Sequence, residues 1–442
     1  MATATSAPPA NIGKYRIERE LGRGASGIVY LGLDGFRGRK VAIKQTHAHL
    51  LKVPEQAERY RKLLRNEAAL SGRLRHPNIV RLLDADEEAL PPYLVLEYVD
   101  GQPLSDFATP DTLLPVPQVL DIAFKCCNAL EYAYREGLVH RDIKPANLML
   151  ARDGDVKLTD FGAALSLRSD ATQLSGLVGS PSYMSPEQVR EQDLTHHSDM
   201  FSLAVVVYEL LTGRRPFDGD TDFATLYKIS NETPTRPSLL RASLPAHVDE
   251  VLLRALAKQP ADRFATWADF AQALLAAHRG LPRQKSQDTE AERFARLRAL
   301  PFFADFHDVA LWELMRLGSW RRLEQGTVLM RENTPGDSFC ILIEGQVAVS
   351  RQGWNLSTLG PGVTLGEMTY LRPDNRIRTA TAVAETEVLV LKVRNPALRE
   401  ASEDLQSRFD KAFIKLLVGR LIATNEQLAE WELVAAPGPA GG

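Results

Sequence analysis

At 442 residues the chain is too long for one ordinary core and implies two to four domains. Its 44% hydrophobic and 25% charged residues are those of a soluble globular protein, and a net charge of -3 gives no electrostatic case for nucleic acid. No apolar run reaches membrane-spanning length, no signal pattern opens the chain, and Cys126, Cys127 and Cys340 read as buried thiols, so a cytoplasmic protein without a membrane partner is expected.

Residues 1–12 are small, polar and Pro-containing, the composition of a disordered lead-in, with order expected from Tyr15. Leu21 to Tyr30 gives G-x-G-x-x-G-x-V on Gly22, Gly24, Gly27 and Val29, where glycines let backbone approach phosphates. A dinucleotide fold would need a helix next, but Ile28 to Leu33 and then Val41-Ala42-Ile43-Lys44 read as strands. From such a strand end a lysine can reach phosphates lying under the glycine turn. Leu63, Leu64, Leu70 and Leu74 form a helical stripe over 56–74, and that helix carries Glu67. Tyr93 to Gly101 reads as a buried strand running into a turn, and Val116 to Arg135 as a helix with one buried face, which makes Cys126 and Cys127 core.

The segment His140-Arg141-Asp142-Ile143-Lys144-Pro145-Ala146-Asn147 follows, then two short apolar runs joined through Asp153-Gly154, then Asp160-Phe161-Gly162. The runs read as a β-hairpin, which returns the chain to its start and sets Asn147 beside Asp160. An amide oxygen and a carboxylate for Mg²⁺, with Asp142 one loop away to orient a hydroxyl, is phosphoryl-transfer chemistry. Residues 163–182 are rich in Ser, Thr and Gly without periodicity and read as a loop, and a capped helix is expected from Ser198 to Leu211. A Gly- and Pro-marked linker over 280–290 precedes helices at 290–300 and 309–317. Strands follow over 326–393, with Phe339, Ile341, Ile343, Val347 and Val349 on one face, and an amphipathic helix over 396–433 is expected to lid them through Leu405, Phe409, Phe413, Leu416, Leu417, Leu421 and Leu428.

The HRD-x-x-x-x-N segment with Asp160-Phe161-Gly162 resembles the protein-kinase signature, and Lys144 resembles its serine/threonine class. The resemblance implies an α+β bilobal kinase domain over 13–279, with an N-lobe at about 13–99 and a C-lobe at about 100–279. It implies ATP and Mg²⁺ as cofactors and a protein substrate with a Ser or Thr hydroxyl. By that resemblance Asp142, Lys144 and the Lys44–Glu67 pair are catalytic, and Asn147 and Asp160 hold metal. Leu21, Gly22, Gly24, Gly27, Val29, Ala42, Lys44 and the hinge residues Glu97 and Val99 bind nucleotide, with Leu96 as gatekeeper. The activation loop then offers Thr172 and Ser175 as phosphosites facing Arg141, and Ser180 stands where the family has threonine. Asp199 braces the catalytic loop, and Arg263 pairs with Glu187.

Pro335 to Phe339, Ile343 to Val347, Leu365-Gly366-Glu367-Met368 and Arg378-Thr379-Ala380-Thr381 resemble a cyclic-nucleotide-binding β-roll, a jelly-roll with flanking helices, here over 291–434. The resemblance implies cyclic AMP or cyclic GMP as a regulatory ligand held by Gly366, Glu367, Arg378 and Thr379, with Arg376 as the alternative arginine. Thr369 and Ile377 depart from the family's alanine and proline. Too little chain follows the last helix for a helix-turn-helix, so DNA binding is not expected. Two other readings stay open: a roll that binds no nucleotide and serves a homodimer or partner contact through its last helix, and a nucleotide-sensing pseudokinase scaffold.

Overall fold

The computed structural model describes residues 8–24, 27–161, 165–166, 181–280, 289–372 and 374–435, and the chain divides into two compact units, Met1–Gln287 and Asp288–Gly442. Among the described residues no helix is long and apolar enough to cross a membrane.

The first unit opens on an antiparallel sheet of β1 (Asn11–Ile12), β2 (Tyr15–Arg23), β3 (Gly27–Asp34), β4 (Arg39–Thr46), β5 (Leu82–Asp86) and β6 (Tyr93–Glu97), in the order β1-β2-β3-β4-β6-β5. The lead-in is shorter than its composition implied. Asn11 and Ile12 pair with Arg16 and Tyr15, because Ile12 finds cover in the cluster of Tyr15, Tyr30, Val41, Ile43, Tyr93 and Val95. Helix α1 (Pro54–Ser71) carries Glu67, which is buried.

Beyond β7 (Gly101–Pro103) the unit is mainly helical. Helix α2 (Val116–Arg135) is so thoroughly covered that Cys126 and Cys127 are fully buried, and burial pushes the Cys126 thiol up to about 12. After β8 (Leu138–Val139) come β9 (Leu148–Ala151) and β10 (Val156–Leu158), the expected hairpin, and the short β11 (Leu165–Ser166). The remaining helices are α3 (Pro186–Val189), α4 (His196–Thr212), α5 (Asp222–Asn231), α6 (Pro237–Leu240), α7 (Ala246–Ala255) and α8 (Trp267–Arg279). Helix α4 begins two residues before the expected Ser198, since Thr195 supplies the cap by accepting from His197 N. Ser198 and Asp199 are thereby placed inside the first turn.

The second unit starts with α9 (Glu290–Arg298) and α10 (Asp308–Leu317). Two four-stranded sheets follow, one of β12 (Ser319–Leu323), β14 (Ser338–Glu344), β17 (Thr364–Leu365) and β19 (Val388–Arg394). The other contains β13 (Val328–Met330), β15 (Val347–Arg351), β16 (Trp354–Leu359) and β18 (Thr381–Ala384), and α11 (Met368–Leu371) crosses between β17 and β18. Met330, Cys340, Leu342, Val347, Leu365, Ala382, Val388 and Val390 form the core between the sheets. The expected one-sided alternation along β14 does not hold, for Ser338 to Ile343 are buried on both faces. Cys340 and Leu342 face the other sheet, while Phe339 lies under helical aromatics, 5.6 Å from Phe409 and 5.4 Å from Phe413 between ring centroids. Burying each such ring stabilises the unit by about 1.5–3 kcal/mol.

The single terminal helix expected over 396–433 is two helices, α12 (Asn395–Arg399) and α13 (Glu403–Ala435). Ser402 breaks them, capping Leu405 N with its hydroxyl while its own amide and hydroxyl bond Glu313. The lid is also shorter than expected. Leu405, Phe409 and Phe413 are buried and Leu416 is half-buried, whereas Leu417 and Leu421 are exposed; the Leu428 side chain lies outside the described residues.

Candidate functional site

The β9–β10 ladder pairs Leu148 with Leu158, and the next rung continues it: Thr159 N and Oγ1 both donate to Asn147 O, at 2.9 and 3.2 Å. Asn147 and Asp160 are therefore neighbours by backbone geometry. Asn147 Nδ2 donates to Asp142 O and Oδ2 at 2.8 and 3.0 Å, and Lys144 Nζ donates to Asp142 Oδ2 at 2.6 Å. Arg141 and Asp160 adopt left-handed φ of 69° and 62°, which non-glycine residues hold only when neighbours fix them. Asp199 fixes the first, its two carboxylate oxygens accepting from His140 N at 2.7 Å and Arg141 N at 2.8 Å. The His140 ring, whose Nε2 lies 3.1 Å from Thr159 O, packs 4.6 Å from Phe161 and supports the second.

Above this floor, Lys44 Nζ donates to Glu67 Oε1 and Oε2 at 2.9 and 3.1 Å and to Asp160 Oδ1 at 2.7 Å. Burial opposes the charge on Lys44, but the carboxylates of Glu67 and Asp160 outweigh it and hold the ammonium above its ordinary range. The glycines divide by role. A Cβ on Gly27 would lie 2.3 Å from Gln45 O, so that residue serves the close approach of β3 to β4, whereas a Cβ on Gly22 would meet open space and one on Gly24 only Gly27 O at 4.0 Å. Leu21, Val29 and Ala42 are half-buried around that space. Glu97 N donates to Arg81 O at 2.9 Å, so from its backbone Glu97 can offer a ligand only its carbonyl, while Leu96 and Val99 are half-buried beside it.

In the segment that precedes α4, Glu187 forms a buried bidentate pair with Arg263 at 2.8 and 2.9 Å. Burial alone would raise the Glu187 carboxyl, but the Arg263 guanidinium holds it below the ordinary range. Gln188 Nε2 donates to Arg141 O at 3.0 Å, which ties this segment to the one that holds Asp142. Among the described residues the buried Arg141 Nε has no hydrogen-bond partner. Thr172, Ser175 and Ser180 lie outside the described residues.

Sequence reasoning missed several supports. Lys125 is buried within α2, 3.3 Å from both Asp121 and Asp155, and Asp155 Oδ1 also accepts from Asn78 Nδ2 at 2.8 Å. This junction joins the segment after α1 to the β9–β10 hairpin. A charge interrupting the apolar face of α2 was its only signal. His47 Nε2, 2.8 Å from Gly24 O, also went unread, as did Arg215, which donates to Ser182 Oγ and to Asp218 Oδ1.

In the second unit Arg378 is 8% exposed, while Arg376 and Thr379 are exposed. Its guanidinium fits between two glycines: a Cβ on Gly336 would lie 2.2 Å from Nε, and one on Gly366, itself at a φ of 79°, would lie 2.0 Å from Nη1. Nη1 donates to Gly366 O at 3.1 Å and Nη2 to Ser338 O at 2.6 Å. Its hydrogen bonds thus go to backbone carbonyls, with the carboxylates of Asp337 and Glu367 near enough to favour its charge. Glu367 is buried beside it. Thr369, one of the two departures, is absorbed by the roll: its hydroxyl donates to Gly366 O at 3.0 Å and accepts from Asn395 Nδ2 at 3.1 Å.

A lysine tied to two carboxylates under a glycine turn, above a hairpin that aligns Asp142, Asn147 and Asp160, defines the cleft of a protein kinase domain. Residues 15–276 match the protein kinase domain family, and the chain belongs to it. Residues 320–404 match the cyclic nucleotide-binding domain family. Among curated proteins, the serine/threonine-protein kinase PknB of Mycolicibacterium smegmatis is 37% identical over 296 residues, 65% of this chain and 47% of that protein. The PknB of Mycobacterium leprae is 37% identical over 293 residues, 65% and 46% of the two chains. The serine/threonine-protein kinase Pkn1 of Myxococcus xanthus is 38% identical over 299 residues, 66% and 42%. The chain spans less than half the length of these relatives.

Proposed function

We propose that this chain is an ATP-dependent serine/threonine protein kinase whose C-terminal roll takes a cyclic nucleotide that regulates it. The observation that carries the first part is Lys44 bonded at once to Glu67 and Asp160 above the linked Asp142, Lys144 and Asn147. In this reading the triphosphate lies under Gly22 and Gly24, and Lys44 aligns its α- and β-phosphates. Asn147 and Asp160 would hold Mg²⁺, which supplies charge neutralisation at the phosphate oxygens. Asp142 orients the substrate hydroxyl; as that oxygen bonds the γ-phosphorus, the bond to the β–γ bridging oxygen breaks, its electron pair leaves with ADP, and the hydroxyl proton passes to Asp142. Lys144 steadies the γ-phosphate in transit, and the hydroxyl that Ser180 keeps in place of the family threonine is able to bond Asp142 and Lys144.

Activation-loop phosphate on Thr172 or Ser175 would give the partnerless Arg141 Nε an acceptor. For the second part, Arg378 would receive the cyclic phosphate and Glu367 the ribose hydroxyl, with Gly366 and Thr379 lining the phosphate. The three buried thiols fit a reducing, cytoplasmic setting. The test is transfer of labelled phosphate from ATP with Mg²⁺ to a Ser- and Thr-rich protein, with and without cyclic AMP or cyclic GMP. Label on serine or threonine supports the kinase reading, absence of transfer overturns it, and a rate unmoved by either nucleotide overturns the regulatory part.

A further inference from the structure

Strand β4 ends beside the glycine turn. Its last rungs with β3 pair Val29 with Lys44, Ile28 with Gln45 and Gly27 with Thr46, and the chain then closes a single 3₁₀ turn over Ala48–Leu51. His47 sits between the two, and the backbone around it is tied on both sides: Thr46 N donates to Pro92 O at 3.1 Å, and Leu50 N to His47 O at 3.1 Å. The imidazole is steadied as well, stacked on the His49 ring at 5.0 Å between centroids with the planes 29° apart. From this post Nε2 lies 2.8 Å from Gly24 O. A carbonyl oxygen only accepts, so Nε2 carries the hydrogen and donates it.

The glycine side of the bond is loosely packed. Gly24 N donates to Gly27 O at 2.9 Å, and a Cβ at Gly24 would meet only that same oxygen. Glycine freedom lets such a corner swing, and ordering it around a ligand costs entropy. Because the peptide unit is planar, a carbonyl fixed by His47 fixes the plane to which it belongs.

We infer that His47 is a positioning residue for the nucleotide, holding the glycine turn over the phosphates before they arrive. The inference rests on the reading that a triphosphate lies under Gly22 and Gly24. Strand β4 then carries both halves of the phosphate grip: Lys44 and, three residues on, the post that sets the turn above it. The restraint is made in the free protein and touches no reacting atom. Its effect therefore falls on nucleotide affinity rather than on the transfer step, and on the phosphates rather than on base or ribose.

Titration of the full chain with Mg²⁺ and either ADP or adenosine, together with steady-state transfer from ATP, tests this. His47→Ala should raise the ADP dissociation constant and the KM for ATP about three- to tenfold, the loss of one hydrogen bond, with kcat within about twofold and adenosine affinity unmoved. His47→Phe keeps a ring against His49 but has no N–H, and should match His47→Ala. His47→Gln offers a terminal N–H at a similar reach and should recover most of the affinity. Parent-like ADP binding in His47→Phe, or a loss that adenosine shares, overturns the inference and leaves the kinase reading standing. A parent chain that binds ADP no better than adenosine overturns the reading of the glycine turn itself, and the inference with it.

Discussion

Replacing Arg263 with methionine removes a cation that uses all five of its N–H groups: two on Glu187, and one each on the carbonyls of His197, Ala257 and Lys258. Glu187 would keep Ser198 Oγ at 2.9 Å, but its charge would stay buried without a counter-ion. Breaking such a pair costs about 3–5 kcal/mol. At about 2–4 °C per kcal/mol for a domain near this size, melting should fall by roughly 10 °C. Glu187→Gln added to Arg263→Met removes the stranded charge, so the double variant should be more stable than the sum of the two single losses implies, by 2 kcal/mol or more. Acid supplies a second readout. In the parent protein Glu187 is held below its ordinary 4.5, so its contribution is complete above that pH and is lost as pH falls through the lower folded value. In Arg263→Met the unpaired buried carboxyl rises above 4.5, so the variant regains relative stability on acidification, and the gap in melting temperature should narrow from pH 8 to pH 5. Calorimetry on the full chain measures all three quantities. A shift under 2 °C for Arg263→Met, additive single losses, or a gap that widens toward pH 5 would refute the reasoning.

Asp160→Asn should abolish phosphate transfer while circular dichroism and melting stay near those of the parent protein, because the amide keeps the shape and loses the metal-holding charge; retained turnover would end the kinase reading. Mass spectrometry of protein incubated with ATP and Mg²⁺ should find phosphate on Thr172 or Ser175, and Arg141→Ala should lower the activity of that phosphorylated form; two unmodified residues would remove the loop from the proposal. Arg378→Ala should weaken cyclic-nucleotide binding by tens- to hundreds-fold in calorimetry, a charge-assisted pair of about 2–4 kcal/mol, while Arg376→Ala changes it little. A larger loss at Arg376 would reverse that assignment.

Local signals made the kinase unit readable. The hairpin that sets Asn147 beside Asp160 is written in two apolar runs around Asp153-Gly154, and the Lys44 strand and Glu67 helix follow from their own periodicities. What escaped was coverage and long-range pairing. Nothing near Lys125 announces that Asp155 and Asn78 will meet it from other segments. Periodicity likewise could not say that Phe409 is covered by the roll and Leu421 is not, since both sit on apolar stripes of one helix and only the extent of the sheet decides between them. The β14 strand failed for the same reason: alternation predicts a two-faced strand, and helices packed on its outer face erase the difference.

The β9–β10 ladder has a consequence for engineering. Because backbone rungs, with Thr159 bonded to Asn147 O, fix the separation of Asn147 and Asp160, the turn that joins the strands is not part of the ruler. Gly154 faces open space at that turn, so a short peptide tag or a fluorophore-bearing insert between Asp153 and Gly154 would leave Asn147 and Asp160 in register. One residue added within β9 itself would instead turn every later side chain of that strand to the opposite face. The turn is thus a place for an insertion a few residues from Asn147 and Asp160 yet outside the ladder that sets their separation.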